Sequence, residues 1–224
     1  MNRLGRKGAD MKSMALADLH ALAAAALGHV QDGEPLGPTD AALIRLGVAV
    51  SVTALNHDAV AATIADAMSA GATSDQVQEV ASLVSGLGVH SLMATAVQIV
   101  RVAGLESSPL SAEQQALWDK HIGHDPFWAT FEAEMPGFLE AMLRLSSDQF
   151  SAFFDYCAVP WRSGWVRAMV KELIAMACDA TPTHRFGPGF RLHLGNAIKL
   201  GAGRRAVRET LAIAAAAPVH DGWG

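Results

Sequence analysis

Residues 42–90 recur, much diverged, as residues 172–220, at a constant offset of 172 − 42 = 130 positions and without a gap. Under that shift Leu43-Ile44 falls on Leu173-Ile174, Thr53 on Thr183, Ala67 on Ala197 and Gly71-Ala72 on Gly201-Ala202. Val77 falls on Val207, Glu79 on Glu209 and Val89-His90 on Val219-His220. Coincidences of Leu and Ala arise easily in so Ala-rich a chain, but a Gly-Ala, a Glu and a Val-His in register do not. The pattern reads as a duplication. Units repeated at a fixed period bury their apolar faces by packing on their copies, so the fold has to accommodate two like units, and the positions where the copies differ point to chemistry.

The units are helical. Alternation of β-branched residues never persists, whereas helix punctuation recurs, and the chain is predicted to be all-α. Pro38-Thr39-Asp40 opens an apolar segment running to about Asn56. A second helix, from about Asp58, ends at Gly71, glycine being the residue that best tolerates the left-handed conformation after a helix. Thr73-Ser74-Asp75-Gln76 and Ser111-Ala112-Glu113-Gln114 are capping-box patterns. Helices are also expected from about Gly88 to Val102, from Gly189 to Leu200, and onward to about Ala217. The resulting plan is an N-terminal helical extension (1–37), a first repeat (38–106), aromatic-rich connecting helices (107–160) and a second repeat (161–224). The aromatics of the connecting region, among them Trp118, Trp128, Phe131, Phe150 and Phe154, read as a packing layer. The sequence ends before any counterpart of the fourth helix in the second repeat, and a neighbouring subunit is expected to cover that face.

Composition narrows the function. Hydrophobic residues make up 51% and charged ones 17% of 224 residues, apolar enough to predict a homo-oligomer. A net charge of −5 and the lack of a basic run beyond Arg3 to Lys7 and Arg204-Arg205 argue against nucleic acid or a membrane surface as partner. Leu19 to Val30 is interrupted by His20 and His29 and is too short to span a bilayer, so a cytoplasmic location is expected. Cys157 and Cys178 have no metal or CxxC spacing and read as reduced core thiols. His121 and His124 share a face beside Asp125 but lack a convincing further ligand, and no metal is expected.

Differences between the copies are chemically biased. Ala42 becomes Glu172, Ala54 becomes His184, Ala61 becomes Arg191 and Thr63 becomes His193. Ionisable groups therefore gather in the second unit where the first is inert, as in a division of labour between architecture and chemistry. Helical geometry ranks the candidates. His193 and Asn196 share a face at i, i+3, whereas Arg191 and His193 are about 200° apart and do not both face one pocket on a regular helix. His90 and His220, retained in both copies after a helix break, read first as helix-start or core histidines and otherwise complete the set of candidate binding residues.

The second unit, KELIAMACDATPTHRFGPGFRLHLGNAIKLGAG, preceded by Val159-Pro160-Trp161-Arg162, resembles the carboxymuconolactone decarboxylase family within the AhpD-like superfamily, whose tandem members carry similar VPWR and TH…PG…R-x-H-x-x-N-A segments. The resemblance covers most of residues 38–220 and implies an all-helical oligomer with a pocket between helices. It implies one of two chemistries. The peroxidase branch uses a CxxC pair; here those positions hold Phe186 and Gly189 in the second unit and Asn56 and Ala59 in the first, leaving no nucleophile and no resolving thiol. The decarboxylase branch needs acid–base chemistry alone. On that resemblance His193 is the proton donor, His184 assists it, Glu172 orients a histidine or raises its pKa, and Arg191 and Asn196 are candidate substrate contacts. The expected activity is a cofactor-free lyase or isomerase acting on a small organic acid or lactone. Its rivals are a hydroperoxide-reducing protein and a non-catalytic binding or assembly subunit.

Overall fold

The computed structural model describes residues 13–222; the basic stretch Arg3 to Lys7 lies outside them. In chain order the helices are α1 (Leu16–Ala26), α2 (Pro38–Val50), α3 (His57–Ser69), α4 (Ser74–Ser85), α5 (His90–Val102), α6 (Ala112–His121), α7 (Pro126–Glu134), α8 (Phe138–Leu145), α9 (Ser147–Ser163), α10 (Ala168–Asp179), α11 (Gly187–Lys199) and α12 (Arg204–Ala215). Among the described residues the only extended pairing is an isolated parallel bridge between Asn56 and Gly222. The architecture is all-α. The described residues form two compact units, one of residues 14–88 with 159–222, the other of Val89–Ala158 with Ser13.

In the first of these, α2, α4, α10 and α12 pack on one another, with α3 on α2, and α11 on α10. The bounds of α3 and α4, moved by 130, are those of α11 and α12, and the start of α2 becomes that of α10. Helix-end chemistry agrees with the pattern. Pro38 opens α2, Asn56 caps α3 by accepting the Ala59 N–H at 2.9 Å, and Thr73 and Gln76 bond reciprocally at the start of α4. Gly71 and Gly201, with φ of 91° and 98°, end α3 and α11 in the left-handed region that favours glycine. Contacts recur across the copies as well. The Glu79 carboxylate accepts the Val166 N–H at 3.0 Å, and Glu209 accepts that of Leu36, the residue 130 earlier, at 2.7 Å. Where α2 crosses α10 there is no room for a side chain at Gly47, since a Cβ would lie 2.5 Å from Ile174 Cγ2.

One polar cluster is buried in this core. Lys171 Nζ pairs with Glu79, donates to the Pro160 carbonyl at 2.6 Å and lies 5.5 Å from the Trp161 ring centre. Glu79 also accepts from Ser163 Oγ and from the Trp165 N–H. Burial raises the Glu79 carboxyl pKa, but Lys171, Ser163 and the two backbone donors outweigh it and hold the pKa below its ordinary value. The Val-Pro-Trp-Arg segment thus supplies a carbonyl and a ring to a buried lysine, whose charge Glu79 compensates. That cluster places α4 in the core, although the run Ser74–Val102 is apolar and long enough to cross a membrane by length and composition; a 3₁₀ turn at Gly86–Val89 divides it.

The compact unit of Val89–Ala158 holds α5 to α8 and most of α9. Its aromatics pack on one another: Trp128 meets Phe131 and Phe154 edge to face at 5.5 and 5.0 Å, and Trp118 stacks on Phe150 at 6.4 Å. His121 lies in this layer, stacked on Phe154 at 4.7 Å, with its pKa lowered by burial and by Lys120. Asp125 caps α7 through the Phe127 N–H.

Candidate functional site

Helix α10 is buried along nearly its whole length, yet it carries Glu172 in its second turn. A carboxylate so placed needs partners, and α11 provides two. His193 Nδ1 lies 2.7 Å from Glu172 Oε2, and Asn196 Nδ2 donates to Glu172 Oε1 at 3.2 Å. The i, i+3 relation on α11 therefore places both side chains on one carboxylate. The Glu172 side chain is 8% and that of His193 17% exposed, so the group is shielded without being sealed. Burial by itself depresses the imidazole pKa; the hydrogen bond and charge of Glu172, with the charge of Asp179, more than offset it and raise the pKa above the ordinary value. Because Nδ1 faces Glu172, Nε2 is the nitrogen available for proton transfer.

The first copy has none of this. At the equivalent positions Ala42 is buried, and the Thr63 hydroxyl donates back to the Ala59 carbonyl of its own helix at 2.7 Å.

His184 stands on the loop between α10 and α11. Thr181 Oγ1 donates to the Cys178 carbonyl at 3.0 Å, the His184 and Phe186 N–H groups donate to the Thr181 and Asp179 carbonyls, and Arg185 takes the left-handed conformation at φ 49°. The loop folds back so that His184 Nε2 comes within 3.6 Å of Asp179 Oδ1, while Phe186 stacks on the His184 ring at 5.8 Å. Asp179 is fully buried. Sequence reasoning missed it, although Ala49 is its counterpart at the 130 offset, the same Ala-to-acid change that singled out Glu172.

The other candidates have different settings. The guanidinium of Arg191 lies over the start of its own helix, Nη1 being 3.5 Å from where a Gly187 Cβ would stand. His90, buried, begins α5 in the other unit. His220 is exposed on a C-terminal segment that pairs with residues 55–57 at the start of α3: Asn56 donates to the Val219 carbonyl, and the Asp221 N–H to that of Leu55. Its Nδ1 accepts the Gly222 N–H at 3.2 Å.

Thiol chemistry has no foothold at the start of α11. A Cβ at residue 189 would be 2.9 Å from Phe186 Cδ1 and closer still to Asp179 Oδ2, so a cysteine there would displace the carboxylate. Cys178 is buried on α10, its Sγ 3.4 Å from the Gly47 carbonyl. Burial raises the Cys157 pKa to about 11 and that of Cys178 still further, away from the thiolate form that does nucleophilic work.

No protein-family model and no curated protein sequence matches the chain. Among solved structures it resembles a protein from Burkholderia xenovorans LB400 described as a "putative gamma-carboxymuconolactone decarboxylase subunit", with 27% sequence identity, a TM-score of 0.67 and 91% of each chain covered. The helical architecture is therefore that of a carboxymuconolactone decarboxylase-like protein.

Proposed function

We propose that this chain is a two-copy member of the carboxymuconolactone decarboxylase family whose second copy alone carries the chemistry, a cofactor-free and metal-free acid–base lyase of the decarboxylase type acting on a small organic acid or lactone. The observation that carries this reading is the Glu172–His193 pair, a shielded imidazole held at Nδ1 by a carboxylate, with its pKa raised. An imidazolium so held is a proton donor through Nε2. In the reaction on a gamma-carboxylactone the bond between the ring γ carbon and its carboxylate breaks, CO₂ leaves, and the electron pair passes through the conjugated C=C into the lactone carbonyl as a dienolate. His193 Nε2–H then protonates carbon, and the neutral imidazole recovers its proton from water. Glu172 stabilises the charged imidazole and fixes its ring, and Asn196 holds the second oxygen of Glu172. The similarity to a protein described as a decarboxylase subunit favours this class over isomerisation, and the steric bar at Gly189 disfavours a CxxC peroxidase.

The test is CO₂ release from gamma-carboxymuconolactone. His193→Ala is expected to lower kcat by about 10² to 10⁴, the typical worth of a positioned acid–base group, with the fold retained. Thr63→Ala, at the equivalent place in the first copy, should leave kcat within twofold, and chelators should have no effect. Full activity in His193→Ala would refute the mechanism. We also propose a homo-oligomer in the cytoplasm; Trp161 and Trp165 are 40% and 56% exposed, and a monomer in sedimentation at micromolar concentration would refute the assembly.

A further inference from the structure

A cavity between α1 and α12 is lined by groups of two kinds. Ala23, Leu27 and Leu211 form a buried apolar floor, and His20, Arg204 and Arg208 stand around it. Its volume is about 270 Å³, just under the range of about 300–1,000 Å³ usual for ligand pockets, so its occupant is small. Among the described residues no acidic side chain lines it, and none of Glu172, His193 and Asn196 does.

The arginines work against the helix they stand on. Moved by 130, Ser74, Asp75 and Gln78 of α4 become Arg204, Arg205 and Arg208 of α12. The start of α4 follows helix electrostatics, with Thr73 as cap and Asp75 beside the positive end of the dipole. The first turn of α12 has no acidic residue; Arg204 and Arg205 oppose the dipole there, and Arg204 and Arg208, at i, i+4, repel each other. Nor do their side chains cap the helix, since the Arg204 and Arg205 N–H groups donate to the Gln31 and Asp32 carbonyls at 2.9 Å. Arg204 Nη2 donates to the Val30 carbonyl at 2.7 Å, but its Nε is buried without a hydrogen bond among the described residues, Asp32 Oδ1 standing 3.6 Å away. Glu209, the acid next to Arg208, is engaged by the Leu36 N–H. Three arginines thus gather on one helix start of a chain with net charge −5, and an anion in the cavity would relieve their repulsion.

We propose that this cavity binds a small organic acid at a site distinct from the Glu172–His193 pair: the carboxylate is held by Arg208 and Arg204 with His20 beside them, and the apolar body lies on Ala23, Leu27 and Leu211. A guanidinium presents a planar fork that matches a carboxylate. An inorganic anion would answer the arginines and leave the apolar floor in water, and a neutral apolar molecule would cover the floor and leave the arginines repelling. A carboxylate with a short apolar body satisfies both. The proposal does not rest on the decarboxylase reading.

The experiment titrates the ¹⁵N-labelled full chain with sodium benzoate and follows the backbone amide signals. Benzoate is expected to move those of residues 20–28 and 204–211 in a saturable way, and the same titration of His193→Ala should give the same dissociation constant. Arg208→Gln, a change at an exposed position, should weaken binding about tenfold or more, the worth of a charge-assisted hydrogen bond. Arg208→Lys should recover only part of that, because an ammonium cannot fork a carboxylate. Ala24→Leu, which fills the cavity and keeps every charge, should weaken binding by a similar factor. Benzamide, the same body without the charge, and inorganic phosphate, a charge without the body, should each bind about tenfold more weakly than benzoate or worse. Shifts confined to α10 and α11, or no saturable shift at all, would overturn the proposal. So would full affinity in the folded Arg208→Gln or Ala24→Leu variant, or binding of phosphate or benzamide as tight as that of benzoate.

Discussion

Replacing Glu172 by glutamine keeps the shape of the side chain and removes its charge. Glu172 and His193 are both well shielded, with Nδ1 and Oε2 2.7 Å apart and Asn196 on the other oxygen. Hydrogen bonds to charged groups contribute about 1.5–3 kcal/mol each, and glutamine retains one acceptor, so a net loss of about 2 kcal/mol is expected at low pH. The loss should depend on pH in a definite direction. The folded-state pKa of His193 is raised above its ordinary value, so the native state holds the proton more tightly than the unfolded chain. The stabilisation is therefore present in full below the unfolded pKa of about 6.5 and disappears as pH rises through the folded value. Urea unfolding of both proteins at pH 5.5, 7 and 8.5 measures this. The stability gap should be widest at pH 5.5 and narrow steadily, with equal m-values. A gap that is constant or widens with pH would show that His193 is not held as an imidazolium by Glu172.

Other consequences follow from the core and from the thiols. Glu79→Ala leaves Lys171 Nζ buried with the Pro160 carbonyl but no anion, which should cost about 3–5 kcal/mol in denaturant unfolding. Because the Glu79 pKa is lowered, its contribution is present above the unfolded carboxylate pKa and fades as pH falls toward the lowered value, so Glu79→Gln should flatten the acid limb of the stability profile. Gly47→Ala drives a methyl into Ile174 and should destabilise by about 1–3 kcal/mol; no loss would mean that α2 and α10 cross less closely than described. The Cys157→Ser, Cys178→Ser double variant should retain CO₂ release, and a requirement for either thiol would revive a redox mechanism.

The helical course of the chain was legible because one signal behind it, the chemistry of helix ends, is local, and the other, the offset, repeats it. Capping boxes at Thr73 and Ser111 and the glycine at 71 mark ends that hold in three dimensions, and the 130-residue offset carries α3 onto α11 and α4 onto α12. Among the site residues, the i, i+3 spacing put His193 and Asn196 on one face in advance, but Glu172 could be assigned only to an unspecified histidine; the packing of α11 on α10 brings both side chains to it. Asp179 was overlooked because it ends a helix, where an aspartate needs no special explanation; the loop that returns His184 to it is not visible in the spacing. His220 shows the opposite failure. Its identity with His90 under the offset suggested a shared role, yet His90 is buried at the head of α5 while His220 is exposed on a segment pinned to Leu55 and Asn56. Identity under the 130-residue offset does not carry identity of environment with it.

The asymmetry between the copies has an energetic rationale. A buried carboxylate costs stability unless it is matched by donors, and each one in α10 needs a partner delivered by α11 or the loop before it. In α2 the same positions are Ala42 and Ala49, both fully buried, and that helix instead offers Gly47 to let Ile174 of α10 approach. The two helices contribute to a common core, so apolar packing on the α2 side compensates for the polar groups carried by α10. Introducing Ala42→Glu alone should therefore destabilise the protein without creating a second site, because Thr63 cannot supply the imidazole that a buried glutamate at 42 would require.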